Sequence, residues 1–162
     1  MRWAACLLCV AACAAPSVAA DHEGFTCDDG TIMLPAGKTI NASIDATDCV
    51  VKITGLVNGS ITATGGVVHV VAAPTVNGEL VVEGATEVVV EGSQLNGGID
   101  VENSLAVTVE DSQFNGQGQF IDDGTVTITS SFFNDSLTIR GAQSCTQRDN
   151  QANGPVALGS CN

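Results

Sequence analysis

The chain has 162 residues, and its 18 Asp and Glu against 5 Lys and Arg give a formal net charge of −13. This charge excludes a nucleic-acid-binding protein, which needs a basic surface. Hydrophobic residues make up 44% of the chain and aromatic residues only 4%. The wealth of Val, Ile and Gly argues against disorder and against a helical bundle, and the length predicts one small domain.

The N-terminus has the pattern of a signal peptide over residues 1–20. Arg2 is followed by an apolar run over 3–15 and by small residues over 17–20. The apolar run is too short to span a bilayer, so we expect a secreted protein that does not span the membrane. An alternative is a lipid anchor, because the residues that end at Cys13 resemble a bacterial lipobox.

An asparagine recurs every 19 residues through the middle of the chain. The series is Asn58, Asn77, Asn96, Asn115 and Asn134, with Asn41 placed 17 residues earlier. Each interval holds three short segments of alternating hydrophobicity, such as 99–101, 107–109 and 112–114. A period near 20 with strand-like segments predicts a solenoid, and we expect a single-domain parallel β-helix of about six coils.

The repeated asparagine predicts a ladder inside the coils. Asn tolerates the left-handed backbone of a tight bend, and stacked amides can hydrogen-bond to the coils above and below. We expect the six asparagines from Asn41 to Asn134 to form this internal ladder. A buried row of Ser93, Ser112 and Ser131 and a stacked pair of Phe114 and Phe133 should accompany it.

The run Val107-Thr-Val-Glu-Asp-Ser-Gln-Phe-Asn115-Gly resembles the repeat of right-handed parallel β-helix proteins, the pectin-lyase-like group. The resemblance covers residues 41–142. It implies a right-handed helix with an asparagine ladder, and it makes carbohydrate the expected class of ligand. Of the motifs shared by the polygalacturonases in this group, only an Asp-Asp is present, at Asp122-Asp123.

Four cysteines remain after removal of the signal peptide, which indicates disulfides in an oxidising compartment. We expect an N-terminal cap over 21–40, repeats over 41–142 and a C-terminal cap over 143–162. The two ends should lie on the order of 20 Å apart, whereas bridged Cα atoms lie within about 7 Å. This geometry predicts the pairs Cys27–Cys49 and Cys145–Cys161, one at each end.

Acidic residues dominate the central coils, because no Lys or Arg occurs between Lys52 and Arg140. Two pairs of glutamates, Glu83 with Glu102 and Glu91 with Glu110, are 19 residues apart and should stack about 5 Å from each other. The simplest interpretation is a solvated face that keeps the protein soluble. A metal site and a catalytic site are the two alternatives.

The metal would be calcium, which takes several carboxylate oxygens at once. Its candidate ligands are Glu83, Glu102, Glu91, Glu110 and Asp111. The catalytic site would be that of a polysaccharide lyase or glycoside hydrolase, since carboxylates about 5 Å apart suit a retaining glycosidase. Its candidate residues are Glu83, Glu102, Glu91, Glu110, Asp122 and Asp123.

Two further motifs bear on function. The ladder residues Asn41, Asn58 and Asn134 lie in glycosylation sequons, for which we favour a buried structural role. Threonine alternates over 125–129 and 62–64, a pattern that can bind ice. We expect these two segments on different sheets, with only Thr108 and Thr127 stacked.

The sequence therefore predicts a secreted, non-catalytic β-helical module of the cell surface or extracellular matrix. Its expected partner is an extracellular polysaccharide or glycoprotein, and calcium is its one candidate cofactor. A polysaccharide lyase or glycosidase is the alternative function, and an ice-binding protein is the lesser one.

Overall fold

The computed structural model describes residues 24–159 and 161. The predicted signal peptide and Cys13 lie outside these residues. The described chain is all-β, and it forms 22 short strands with no helix among the residues that the structure describes.

The strands belong to three parallel sheets, and each coil contributes one strand to each sheet. Sheet A contains β1 (Phe25–Asp28), β4 (Ile44–Thr47), β7 (Ile61–Thr64), β10 (Leu80–Glu83), β13 (Ile99–Glu102), β16 (Gly118–Ile121), β19 (Leu137–Arg140) and β22 (Val156–Leu158). Sheet B contains β2 (Thr31–Leu34), β5 (Val50–Ile53), β8 (Val67–Val70), β11 (Glu87–Glu91), β14 (Ala106–Glu110), β17 (Thr125–Thr129) and β20 (Ser144–Arg148). Sheet C contains β3 (Thr39–Ile40), β6 (Leu56–Val57), β9 (Thr75–Val76), β12 (Gln94–Leu95), β15 (Gln113–Phe114), β18 (Phe132–Phe133) and β21 (Gln151–Ala152).

Each strand pairs in parallel with the strand three positions along the chain, which confirms the predicted right-handed parallel β-helix. The sheets hold eight, seven and seven strands, so there are about seven coils and not six. The additional coil comes from the segments expected to be caps, since β1–β3 lie within 21–40 and β20–β22 within 143–162. Asn153 continues the 19-residue interval from Asn134 and marks the last coil.

The core is a narrow column of apolar side chains inside the coils. Alternate residues of each strand point inward, as Leu80 and Val82 do in β10, and they are fully or almost fully buried. Each such side chain stabilises the fold by about 1.5–3 kcal/mol. The rings of Phe114 and Phe133 stack with centroids 4.8 Å apart, as predicted. Gly118 makes room for them, since a Cβ there would lie 2.5 Å from Cε1 of Phe133.

The predicted disulfides are both present and lie near the two ends of the solenoid. The Cα atoms of Cys27 and Cys49 are 6.4 Å apart, and those of Cys145 and Cys161 are 4.6 Å apart. Each bridge joins a terminal segment to a neighbouring coil. Together they hold the outermost coils, where one side of each sheet has no partner strand.

The asparagine ladder is present, and it has a seventh member in Asn153. In five of the seven asparagines the amide nitrogen donates to the side-chain oxygen of the preceding coil, for example Asn58 to Asn41 at 2.7 Å and Asn115 to Asn96 at 2.8 Å. The ladder runs unbroken through the first five asparagines and resumes between Asn153 and Asn134 at 2.8 Å. Among the described residues no hydrogen bond joins the side chains of Asn134 and Asn115.

The prediction that this ladder is internal is wrong, because all seven asparagines are exposed. The reason is the two-residue period of sheet C. Leu95 points inward and is fully buried, so Asn96 directly after it points outward. The ladder therefore runs along the outer corner between sheet C and the next strand of sheet A.

The left-handed backbone expected at the asparagines lies elsewhere. None of the seven, all within the described residues, has a positive φ. Most of the positive-φ residues form two other rows, one after sheet A (Asp29, Asp48, Gly65, Gly84, Asn103, Asp122, Gly141) and one after sheet B (Ala73, Gly92, Asp111, Ser130, Asp149). The glycine after the asparagine lets the backbones of neighbouring coils approach closely, since a Cβ on Gly97 would lie 2.6 Å from the backbone oxygen of Gly78.

Candidate functional site

The two predicted glutamate pairs are stacked in register. Glu83 of β10 pairs with Glu102 of β13 in sheet A, and Glu91 of β11 pairs with Glu110 of β14 in sheet B. Three of these side chains are exposed and Glu102 is half-buried. Exposure lets water and counterions screen the repulsion between the like charges.

The two pairs lie at different corners of the coil. Glu102 and Glu110 stand at opposite ends of the segment that contains β14, and a five-residue strand spans about 16 Å. Asp111 follows Glu110 at the corner after sheet B. Within residues 24–159 and 161, no group of three or more His, Cys, Asp or Glu is arranged to hold a metal ion. The calcium set thus divides into two groups at different corners, and calcium binding stays the alternative to a solvated acidic face.

The adjacent Asp122 and Asp123 have opposite environments. Asp122 occupies a positive-φ corner position after sheet A and is exposed. Asp123 points into the corner and is fully buried. The two carboxylates therefore do not face the same space around the protein. The glutamates of the alternative catalytic set are exposed or half-buried on the outside of sheets A and B.

Asp123 belongs to a buried row that the sequence-based predictions did not include. One oxygen of its carboxyl group, Oδ1, accepts the backbone N–H of Ser104 at 2.8 Å. Ser104 does the same one coil earlier, where its Oγ accepts the N–H of Ala85 at 3.2 Å. The signal was available in the sequence, because 85, 104 and 123 are spaced by 19 residues. Asp123 is thus a structural bridge between coils.

The second carboxyl oxygen of Asp123 has no hydrogen-bond partner within the part of the chain that the structure describes. Burial raises the pKa of Asp123 from 3.8 to about 6, and the bond from Ser104 only partly opposes that rise. The negative charges of Asp122, Glu102 and Asp100 contribute to the same rise. The carboxyl group of Asp123 therefore stays protonated to a higher pH than an ordinary aspartate does.

Asp100 is a second perturbed carboxyl group, on the outer side of β13. Burial and the nearby charge of Glu79 raise its pKa. Its Oδ1 is buried without a partner among the described residues. Asp100 lies on the outer side of sheet A, whereas Asp123 is buried inside the corner.

The outer side of sheet B carries a patch of hydroxyl groups in register. We call this patch the hydroxyl face, and it consists of Thr108, Thr125, Thr127, Thr129, Ser144 and Thr146. Thr108, Thr127 and Thr146 form one column across β14, β17 and β20, and Thr125 pairs with Ser144 beside it. These side chains are exposed or half-buried. Neighbouring hydroxyl-bearing residues are about 4.8 Å apart between coils and about 6.7 Å apart along a strand.

The expectation that only Thr108 and Thr127 stack was too narrow. Sheet B continues through β20, a strand that lies in the expected C-terminal cap, and it adds Ser144 and Thr146 to the array. Thr62 and Thr64 lie on sheet A, as predicted, where their partners in β4 are Asp45 and Thr47.

Charged residues border the hydroxyl face without interrupting it. Glu110 and Arg148 are the register partners of Thr129 on its two sides. Further along sheet B, Nε2 of His69 lies at a hydrogen-bonding distance of 2.9 Å from Oε2 of Glu87. The hydroxyl face is therefore a neutral surface on a strongly acidic protein.

Two further observations concern access and location. A shallow, open depression lies beside sheet C, lined by residues such as Lys38, Thr54 and Thr75 and by no carboxylate. In residues 24–159 and 161, no helix is long and apolar enough to cross a membrane.

No protein-family model, no curated protein and no solved structure matches this chain. The fold assignment accordingly depends on the strand pairing described above.

Proposed function

We propose that the protein is a secreted, non-catalytic module that binds a neutral extracellular polysaccharide through the hydroxyl face of sheet B. The observation that carries the proposal is the register of five hydroxyl-bearing residues over three consecutive coils, with Thr129 beside them between Glu110 and Arg148. A predicted signal peptide and two disulfides support secretion. The resemblance of residues 107–116 to the pectin-lyase-like repeat adds a distant relationship to that group.

The hydroxyl face suits a sugar polymer because of its hydrogen-bonding capacity. A threonine or serine hydroxyl can donate one hydrogen bond and accept two, as the hydroxyls of a sugar do. Threonine is restricted at χ1, and the strands beneath are held by main-chain bonds in both directions. The array is therefore preorganised and loses little entropy on binding.

The charge distribution favours a neutral polymer over an acidic one. The protein carries a net charge of −13, and its acidic pairs lie at both corners that flank sheet B. A pectate-like or alginate-like chain would be repelled at low salt, whereas an uncharged glycan would not.

The absence of catalysis is part of the proposal, and the position of the acids supports it. The stacked glutamates are exposed or half-buried at the ends of their strands, and the depression beside sheet C is lined by no carboxylate. A glycosidase needs one carboxyl group of raised pKa facing a second one across the bond. Asp123 has the raised pKa, yet its carboxyl group is fully buried.

Binding to insoluble polysaccharides tests the proposal. The secreted protein is mixed with neutral polymers (cellulose, chitin, a β-glucan) and with acidic ones (pectate, alginate), and the bound fraction is measured. We expect retention on at least one neutral polymer and no release of reducing ends, with Glu83→Gln and Glu91→Gln binding as wild type does. Failure to bind any neutral polymer, or cleavage that these variants abolish, would contradict the proposal.

Ice is a second candidate ligand, favoured by the regular spacing of the hydroxyl face in two directions. The same threonines would then order water at a crystal surface. Thermal hysteresis of the wild-type protein that Thr127→Val removes would support this function. A freezing point equal to that of a control protein of the same concentration would dismiss it.

A further inference from the structure

Three exposed ladder asparagines lie in glycosylation sequons, Asn41-Ala-Ser43, Asn58-Gly-Ser60 and Asn134-Asp-Ser136. Their exposure overturns the expected burial, whereas the expected structural role stands, since all three take part in ladder hydrogen bonds. The remaining ladder asparagines are not followed by Ser or Thr two positions later. The ladder therefore contains modifiable positions and matched unmodifiable ones in the same outer corner.

The three sequons differ in whether their reactive groups are already hydrogen-bonded. In the second, Nδ2 of Asn58 donates to Asn41 at 2.7 Å, and Oγ of Ser60 accepts the N–H of Glu79 at 3.2 Å. In the first, Oγ of Ser43 accepts the N–H of Ser60 at 3.2 Å. In the second sequon both the amide nitrogen of the asparagine and the serine hydroxyl are thus hydrogen-bonded, whereas in the first the serine hydroxyl accepts such a bond and the amide nitrogen donates none within the described residues.

The third sequon is free at both groups. Nδ2 of Asn134 donates no hydrogen bond within the described residues, because the ladder is interrupted between Asn115 and Asn134. The residue one coil above Ser136 is Pro155, which has no N–H to donate to the serine. In the folded chain the sequon of Asn134 is therefore the one in which neither the amide nitrogen nor the serine hydroxyl has a hydrogen-bond partner among the described residues.

We propose that Asn134 is a site of N-linked glycosylation when the full chain passes through a eukaryotic secretory pathway. In the transfer, Nδ2 of Asn134 bonds to the anomeric carbon of a lipid-diphosphate-linked oligosaccharide. The bond from that carbon to the diphosphate oxygen breaks, the lipid diphosphate leaves with the bonding electron pair, and the proton that Nδ2 gives up passes to solvent. The donor is the oligosaccharide lipid of the secretory compartment.

The modified side chain fits the fold that the structure shows. Oδ1 of Asn134 remains an acceptor for Nδ2 of Asn153, the bond of 2.8 Å that resumes the ladder. The glycan projects from the corner between sheets C and A, which does not adjoin sheet B. It leaves the hydroxyl face uncovered, and the inference does not depend on the proposed function.

Site-specific occupancy in the wild-type chain is the test. The full chain is secreted from a eukaryotic cell line. Peptide-N-glycosidase in heavy-oxygen water then removes the glycans and converts each formerly glycosylated Asn to an Asp that carries heavy oxygen. Mass spectrometry of the peptides then gives the occupancy of each sequon separately. We expect most molecules to be labelled at Asn134, with less label at Asn41 and least at Asn58.

Two variants accompany the measurement. Ser136→Ala removes the sequon and keeps the asparagine, so it should abolish the label at 134 and lower the mass of the intact protein by one glycan. Asn115→Gln is the matched control, since it changes a ladder asparagine outside any sequon, and it should leave the label unchanged. Unlabelled Asn134 in the secreted wild-type protein, or a label that persists in Ser136→Ala, would overturn the proposal.

Discussion

Replacing Asp123 by asparagine should remove a large part of the pH dependence of stability. Burial raises the pKa of Asp123 from 3.8 to about 6 in the folded chain, whereas the unfolded chain keeps a value near 3.8. Between these two values the folded state binds a proton that the unfolded state has lost. Stability from this group is therefore fully present below pH 3.8 and is lost as the pH rises through 6.

The size of the effect follows from the shift. Each pKa unit corresponds to about 1.36 kcal/mol, so a shift of roughly two units corresponds to about 3 kcal/mol. The Asp123→Asn variant would keep an oxygen for the N–H of Ser104, the bond of 2.8 Å that Oδ1 now accepts. The variant should thus resemble the protonated wild type, and it should be about 3 kcal/mol more stable than wild type at pH 7 and nearly equal to it at pH 4.

The assay is urea denaturation at pH 4, 5, 6 and 7, with the free energy of unfolding extrapolated to water. Asp122→Asn is the control, because Asp122 is the exposed neighbour of the same charge. That control accounts for the general gain from removing one negative charge. Equal pH dependence in wild type and Asp123→Asn would refute the reasoning.

Three further predictions follow from the coil geometry. Gly97→Ala should lower the free energy of unfolding by about 1–3 kcal/mol, because the new Cβ would lie 2.6 Å from the oxygen of Gly78. Urea unfolding measures this loss, and an unchanged midpoint would contradict the close approach of the two coils. Replacing Cys145 and Cys161 together by serine should cost about 2–4 kcal/mol and should raise amide hydrogen exchange in the last coil first. Calcium and magnesium at equal concentration should raise the melting temperature equally, since the exposed glutamates need only screening; a rise specific to calcium would instead indicate a calcium site.

The register of the coils was predictable because the repeat interval is carried by several residues at once. The 19-residue spacing alone placed Glu83 beside Glu102 and Phe114 beside Phe133, and the length of the solenoid separated the cysteines into two terminal pairs. These inferences needed only the strand spacing and the chain order, and the structure confirms them.

The direction of the asparagine side chains was predicted wrongly because residue type was given more weight than strand period. Asn was assigned to a left-handed bend, although the inward residue directly before it, such as Leu95, already required it to point outward. The true left-handed row after sheet A changes residue type from coil to coil, as in Gly84, Asn103 and Asp122, and a search for one repeated residue misses it.

The candidate site was less predictable than the fold. The Asp-Asp motif makes Asp123 a candidate catalytic residue beside Asp122, yet its spacing from Ser104 places it inside the corner, where carboxylates are seldom found. The hydroxyl face depends on β20, whose sequence of Ser144, Cys145 and Thr146 lacks the apolar alternation that marks the central strands. Its existence follows from pairing with β17, which composition alone does not indicate.

The most direct test of the central claim is a binding isotherm on the neutral polymer that retains the wild-type protein. The double variant Thr125→Val with Thr127→Val removes two hydroxyls from the hydroxyl face, and Thr62→Val with Thr64→Val removes two from sheet A. Because each hydrogen bond contributes about 0.5–1.5 kcal/mol, the first variant should bind about tenfold more weakly, and the second should bind as wild type does. Equal affinity of the two double variants would contradict binding through sheet B.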